Sequence, residues 1–206
     1  MKAKSIEISS YWKNSLIQEL IEQDSDTLVI LLPGNQYTTM APLLYYSYNM
    51  ALQLKYDVLA MDYGFQKTGE KLHSEEVPYV IAECKEIIDR CLQSNQSYKQ
   101  LIFIAKCTGT GILAELSAEY SKYEQYNVFL TPMVRSIDAI NHSKSLVIVG
   151  TEDGYFKEEH IREISNKDNV TLKLLQGANH DLDTEDFENS IDMLKVAVKE
   201  IFNYIK

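Results

Sequence analysis

Residues 101–111, Leu-Ile-Phe-Ile-Ala-Lys-Cys-Thr-Gly-Thr-Gly, constrain the fold more than any other stretch of the chain. Leu101 to Ala105 is a continuous apolar run rich in β-branched and aromatic side chains, the pattern of a strand buried on both faces of a parallel sheet. The run stops at Cys107. Ala105, Gly109 and Gly111 remove bulk on either side of it, and Ile112 to Leu116 opens a pattern of helical period. Strand, sharp turn and helix therefore follow one another directly. The small residues matter because a side chain held on such a turn stands on strained backbone, packed closely by both flanking elements. A cysteine that ends a buried strand is by itself more often a small core residue than a reactive one, so the rest of the chain has to separate the two roles.

The same alternation recurs from end to end. Apolar runs at 27–32, 56–61, 127–130, 145–149 and 170–175 read as strands, stopped by Pro33-Gly34, by Asp62-Tyr63-Gly64, by Thr131-Pro132 and by Gly150. Between them, Leu43 to Leu54 with Pro42 at its first position, Val77 onward with a stripe from Val80 to Cys91, Tyr155 to Ile164 and Phe187 to Ile205 have helical spacing. Residues 66–76 read as a polar loop. The first segment, Ser5–Ser9 and Leu16–Ile21, fits either an antiparallel hairpin or a strand followed by a short helix. Strands that alternate with helices give a mostly parallel sheet covered on both faces, with the ligand site outside the carboxyl ends of the strands. Neither repeats nor linkers interrupt the pattern, and one domain over residues 1–206 is expected.

Composition narrows the function. Thirty acidic residues against 20 basic ones give a net charge of −10, with no Lys/Arg block to neutralise phosphates, so nucleic acid is not an expected partner. No apolar stretch approaches the roughly 20 residues that a bilayer requires, and the first residues lack an apolar signal core. A cytoplasmic protein without membrane association is expected. Three cysteines without C-x-x-C or zinc-type spacing fit a reducing compartment and imply neither metal nor cofactor. Cys84 and Cys91, seven apart on a helix, should both face the core.

Three strand ends carry chemically useful groups: Cys107, Asp153 in Gly150-Thr151-Glu152-Asp153-Gly154, and His180 in Gly177-Ala178-Asn179-His180-Asp181. Their order along the chain is nucleophile, acid, histidine. That order, with the small-x-Cys-x-small turn, resembles the α/β-hydrolases, whose nucleophile elbow has this form with serine in most members. The resemblance spans nearly the whole chain. Its cysteine narrows the likeness toward the dienelactone-hydrolase branch, which uses Cys-His-Asp on this fold in small chains without a lid. The resemblance implies an α/β-hydrolase fold without a cap domain, Cys107 as nucleophile, His180 as base and Asp153 as the acid that orients it. Asp181, Asp183 and Glu152 stay open as rivals for the last role. It also implies an oxyanion hole made by the backbone N–H groups of Asn35, in the Pro33-Gly34-Asn35 loop, and of Thr108. Pro33 stands where many members carry histidine, so only the Gly-x part of that motif is carried over.

A thiol near pKa 8.5 is only a few per cent ionised at neutral pH, so it gains from an adjacent imidazole and from a helix N-terminus. The expected activity is hydrolysis of a small carboxylic ester, thioester or lactone through an acyl-enzyme, with a small acyl compound as the partner. Two other readings remain: a binding or regulatory protein that keeps the fold without turnover, and a redox-sensing thiol. Lys106 could lie over the site or face solvent. Tyr37 to Tyr46 and Tyr63 to Phe65 could wall the pocket or pack helices. His73 and His142 have no fitting partner, Arg135 is the one arginine in a candidate site loop, and a homo-oligomer is left open.

Overall fold

A computed structural model describes residues 1–165 and 167–206. Eight strands form one sheet: β1 (Lys2–Ser9), β2 (Ser15–Glu22), β3 (Thr27–Leu32), β4 (Asp57–Ala60), β5 (Gln100–Lys106), β6 (Glu124–Leu130), β7 (Ser145–Gly150) and β8 (Val170–Leu175), in the order β1-β2-β4-β3-β5-β6-β7-β8. β1 pairs antiparallel with β2, and β2 antiparallel with β4; every later pairing is parallel. The first segment is thus a hairpin. Gln18 decides its geometry: it is buried in β2, and its side-chain amide both donates to the Asp62 carbonyl at 2.7 Å and accepts from the Asp62 N–H at 2.9 Å.

The helices are α1 (Pro42–Gln53), α2 (Gly64–Thr68), α3 (Val77–Ser94), α4 (Thr108–Leu116), α5 (Ile137–His142), α6 (Glu158–Ile164) and α7 (Phe187–Ile205). The central strands are buried on both faces, and their side chains alternate between two cores. On one side Leu101, Phe103 and Ala105 of β5 meet α3, α4 and the inner residues of the hairpin. On the other, Ile102 and Ile104 meet α1 and α7. Cys84 and Cys91 both face the first of these cores. Burial raises both thiols, Cys91 to about 12, which leaves them unreactive at neutral pH.

Two expectations need correction. Residues 66–76 are not a continuous loop: α2 occupies their start, a 3₁₀ turn spans Ser74–Glu76, and the two are separated by Gly69 in the left-handed region at φ 74°. A short polar helix with a side-chain cap carries no apolar period by which to find it. The helix expected from Tyr155 begins only at Glu158. The N–H groups of Tyr155 and Phe156 are instead taken by the Asp153 carboxylate, at 2.8 and 3.1 Å.

Candidate active site

Cys107 stands between β5 and α4 at φ 51°, ψ −117°, a conformation that a residue with a side chain rarely adopts. The surroundings hold it there. Its N–H donates to the Leu130 carbonyl at 3.0 Å, and its own carbonyl accepts from the N–H and hydroxyl of Thr110 at 2.9 and 2.6 Å. Close packing fixes the rest of the turn. A Cβ on Gly109 would lie 2.3 Å from the Leu32 carbonyl oxygen and 2.6 Å from that of Pro33, so α4 rests directly on the end of β3. A Cβ on Gly34 would meet the Cβ of Cys107 at 3.3 Å, which brings the β3–α1 loop to the edge of the thiol.

Asp153 and His180 come together across two further strand ends. His180 Nδ1 donates to both carboxylate oxygens of Asp153, at 2.8 and 3.0 Å. The carboxylate is buried, and although burial raises its pKa, the imidazole and the Tyr155 and Phe156 N–H groups outweigh that and lower it. It therefore accepts, and Nδ1 carries the proton. The two loops are in contact: the Glu152 N–H donates to the Ala178 carbonyl at 2.9 Å, and a Cβ on Gly150 would lie 2.0 Å from that same oxygen. Tyr155 packs an edge against the imidazole, with ring centroids 4.7 Å apart. Among the rivals, Asp181 turns to Lys106 at 3.7 Å, and Asp183 lines the cleft wall.

The other imidazole nitrogen, His180 Nε2, is buried with no hydrogen-bond partner among the described residues. Cys107 is the group to which it is coupled. Burial would lower the imidazole pKa, but Asp153 and then Cys107 push it up to about 9. Burial would raise the thiol, but His180, Lys106 and Thr108 outweigh it and lower it. Both shifts favour a thiolate beside an imidazolium. No Cys107–His180 hydrogen bond of normal geometry is formed, as is common for such pairs before substrate binds.

Lys106 lines the cleft beside Cys107 and does not face solvent. It is fully buried, its ammonium donating to the Thr131 hydroxyl at 2.7 Å and to the His180 carbonyl at 2.8 Å, beside the face of Tyr37 at 5.1 Å from the ring centre. Burial lowers its pKa, against Cys107, Asp181 and Asp153, which raise it. This contact ties the turn of Cys107 to the loop of His180. A signal for it existed in the sequence, since a lysine within a strand buried on both faces needs acceptors.

Cys107, His180, Thr108 and Asn35 all line one cleft of about 780 Å³. The N–H groups of Asn35 and Thr108 have no acceptor among the described residues. The Asn35 loop is held from behind by Tyr63, whose hydroxyl donates to the Pro33 carbonyl at 2.9 Å, and by Gln66, whose amide donates to the Gly34 carbonyl at 2.8 Å. Tyr63 and Phe65 are thus buried supports rather than pocket walls, whereas Tyr37 does line the cleft. Burial, with Asp181 and Asp183 nearby, pushes the Tyr37 phenol up to about 12, and its oxygen accepts from the Leu43 N–H at the start of α1 at 2.8 Å. Arg135 packs against Gly111 instead of entering the cleft. Among the described residues no three His, Cys, Asp or Glu side chains gather as metal ligands do, and no helix is long and apolar enough to cross a membrane.

No protein-family model and no curated protein matches the sequence. The backbone is far more informative. An esterase from Pyrococcus furiosus superposes with a TM-score of 0.74 at 16% identity, over 99% of this chain and 92% of its own. An alpha-beta serine hydrolase homologue from Coxiella burnetii gives 0.69 at 14% identity, over 98% of each chain. The chain has the α/β-hydrolase fold. Within that fold its likeness extends to a dienelactone hydrolase from Anabaena variabilis, with a TM-score of 0.69 at 17% identity over 100% of this chain and 99% of the other.

Proposed function

We propose that the chain is a hydrolase of carboxylic esters, thioesters or lactones that works through Cys107, His180 and Asp153. The observation that carries this reading is the imidazole itself. Its Nδ1 is held by both oxygens of a buried carboxylate, and its Nε2 is unpartnered beside a thiol on strained backbone. Such a pair favours the thiolate and imidazolium over the neutral thiol and imidazole. The thiolate adds to the substrate carbonyl, and the N–H groups of Asn35 and Thr108 stabilise the oxyanion. Collapse expels the alcohol or thiol, which takes the Nε2 proton, and leaves a thioester on Cys107. Neutral Nε2 then removes a proton from water, whose hydroxide adds to the thioester. The second collapse releases the carboxylic acid and restores the ion pair.

The likeness to esterases and to a dienelactone hydrolase supports the same class. The partner is a small acyl compound and the setting the cytoplasm in this reading. Cleft electrostatics bear on the substrate: Asp181 and Asp183 are on the wall, Asp181 is offset by Lys106 at 3.7 Å, and no arginine lines the cleft among the described residues. The test is hydrolysis of p-nitrophenyl esters and acyl thioesters by wild type and Cys107→Ala. Loss of about 10³-fold or more in kcat/KM in the variant is expected. Equal turnover in the two proteins would sink the assignment. A second reading, a thiol sensor, draws on the lowered pKa of a partly buried Cys107; it requires stoichiometric oxidation by peroxide in a protein that hydrolyses none of these esters.

A further inference from the structure

The cleft at Cys107 does not end at its own walls. A second trough of about 490 Å³ runs between α1 and α7, and the two share Ile191 and Leu194 as lining residues. The two depressions therefore adjoin along α7, on the outer surface of the α1–α7 layer. We propose that this trough receives an extended apolar acyl chain of the substrate, so that the preferred substrates are esters or thioesters of medium to long unbranched acids. The inference rests on the hydrolase reading of Cys107 and specifies its substrate.

Three features carry it. The first is the lining of the cleft: polar Asn35, Gln36, Asp181 and Asp183 stand beside apolar Pro42, Leu43, Ile191 and Leu194, and the two residues shared with the trough, Ile191 and Leu194, are both apolar. An acyl group bound to Cys107 finds apolar surface in that direction. The second is the helix geometry. Ile191, Leu194, Val198 and Phe202 recur at three- and four-residue spacing, so they form a stripe along α7 about 16 Å long. An extended chain advancing about 1.2 Å per bond would need about a dozen bonds to cover it. The third is exposure. Ile191 is 59% exposed and Tyr46, on the facing helix, 49%, an apolar surface that gains from being covered. Lys195 and Lys199 lie along the trough, form no ion pair among the described residues, and can extend its apolar wall with their alkyl stems while their ammonium groups stay in water.

The trough is also prepared before substrate arrives. The start of α7 is fixed by the Asp186 carboxylate, which accepts from the Asn189 N–H at 2.9 Å, and by the Ser190 hydroxyl, which accepts from the Thr184 N–H at 2.9 Å. Tyr37 fixes the start of α1 through the Leu43 N–H. Little ordering is left for the chain to impose.

The test is chosen to separate the trough from the hydrolysis. Wild type, Tyr46→Asp and Val198→Asp are treated with methyl, butyl, octyl and dodecyl methanethiosulfonate. The Cys107 thiolate attacks the sulfenyl sulfur, an S–S bond forms and methanesulfinate leaves, and intact mass follows the rate. Ester hydrolysis is measured in parallel across the same chain lengths. The expected result is a labelling rate that rises about two- to fourfold per added methylene until the trough is filled. The dodecyl-to-methyl ratio should then fall at least tenfold in each variant. Tyr46 is exposed, so its variant tests the trough even if Val198→Asp fails to fold. A rate independent of chain length in wild type overturns the proposal, whatever the esters show. A ratio unchanged in Tyr46→Asp overturns it as well, as does a wild-type dimer, seen in sedimentation, that Tyr46→Asp dissociates. A rising series without any hydrolysis leaves the trough standing and removes the hydrolase reading instead.

Discussion

Lys106 shows how much one side chain can couple. Its ammonium joins the Thr131 hydroxyl and the His180 carbonyl, and its charge helps to lower the thiol pKa of Cys107. Lys106→Met should therefore do two separable things. Two acceptors lose their donor, a cost of about 1–3 kcal/mol for each group left unsatisfied in a buried site. The thiol should also need a higher pH to ionise, so the iodoacetamide reaction of Cys107 moves its midpoint upward. An unmoved midpoint with lowered stability would assign Lys106 a packing role only. Asp153→Asn acts on the other side of the pair. An amide cannot stabilise imidazolium as the carboxylate does, so the His180 pKa should fall from about 9 toward its ordinary 6.5, readable by proton NMR, with kcat reduced by orders of magnitude. At this scale the sequence was legible where strand ends announce themselves, as at Cys107, Asp153 and His180. For Lys106 it held only the need for acceptors and not their identity, because they lie in two loops that only the folded sheet brings beside that ammonium.

Among the elements, the elbow was readable because its constraints are local: a buried strand, small residues and the start of a helix within one short stretch. The N-terminal segment was ambiguous for a physical reason. Leu16, Ile17, Leu20 and Ile21 satisfy a helical spacing, yet in the hairpin Leu16, Gln18 and Leu20 are the inward residues and Ile17 is 47% exposed. What tips the balance is the bond of Gln18 to Asp62, a contact that no local pattern encodes. Glycine substitutions test the packing of these elements. Gly109→Ala drives a Cβ into two carbonyl oxygens of the β3 loop, neither of which can give way, so a loss of about 2–4 kcal/mol and a lower Tm are expected. Gly154→Ala adds a Cβ with nothing within 4 Å and should leave Tm within about a degree or raise it. Equal effects at the two positions would contradict the close approach of α4 to the end of β3.

For the molecule as a whole, the site and the stability share the same protons. The His180 pKa is about 9 in the folded chain against an ordinary 6.5, raised by Asp153 and Cys107 over the opposing effect of burial. Below pH 6.5 both folded and unfolded chains carry this proton, and its stabilising contribution is complete. As pH rises toward 9 the unfolded chain gives up the proton first, so the contribution is lost across that window. The loss is on the order of 3 kcal/mol for a shift of this size. The quantity to measure is the slope of unfolding free energy against pH between 6.5 and 9, compared between wild type and Asp153→Asn. The neutral amide in that variant no longer raises the imidazole pKa, so its slope should be the flatter even if it is less stable throughout. The lowered thiol of Cys107 acts with the opposite sign, stabilising at alkaline pH, and because Cys107 also raises the imidazole pKa the measured slope belongs to the coupled pair. Parallel slopes in wild type and Asp153→Asn would mean that the carboxylate does not hold a charged imidazole, and the thiolate–imidazolium pair on which the proposed chemistry depends would have to be given up.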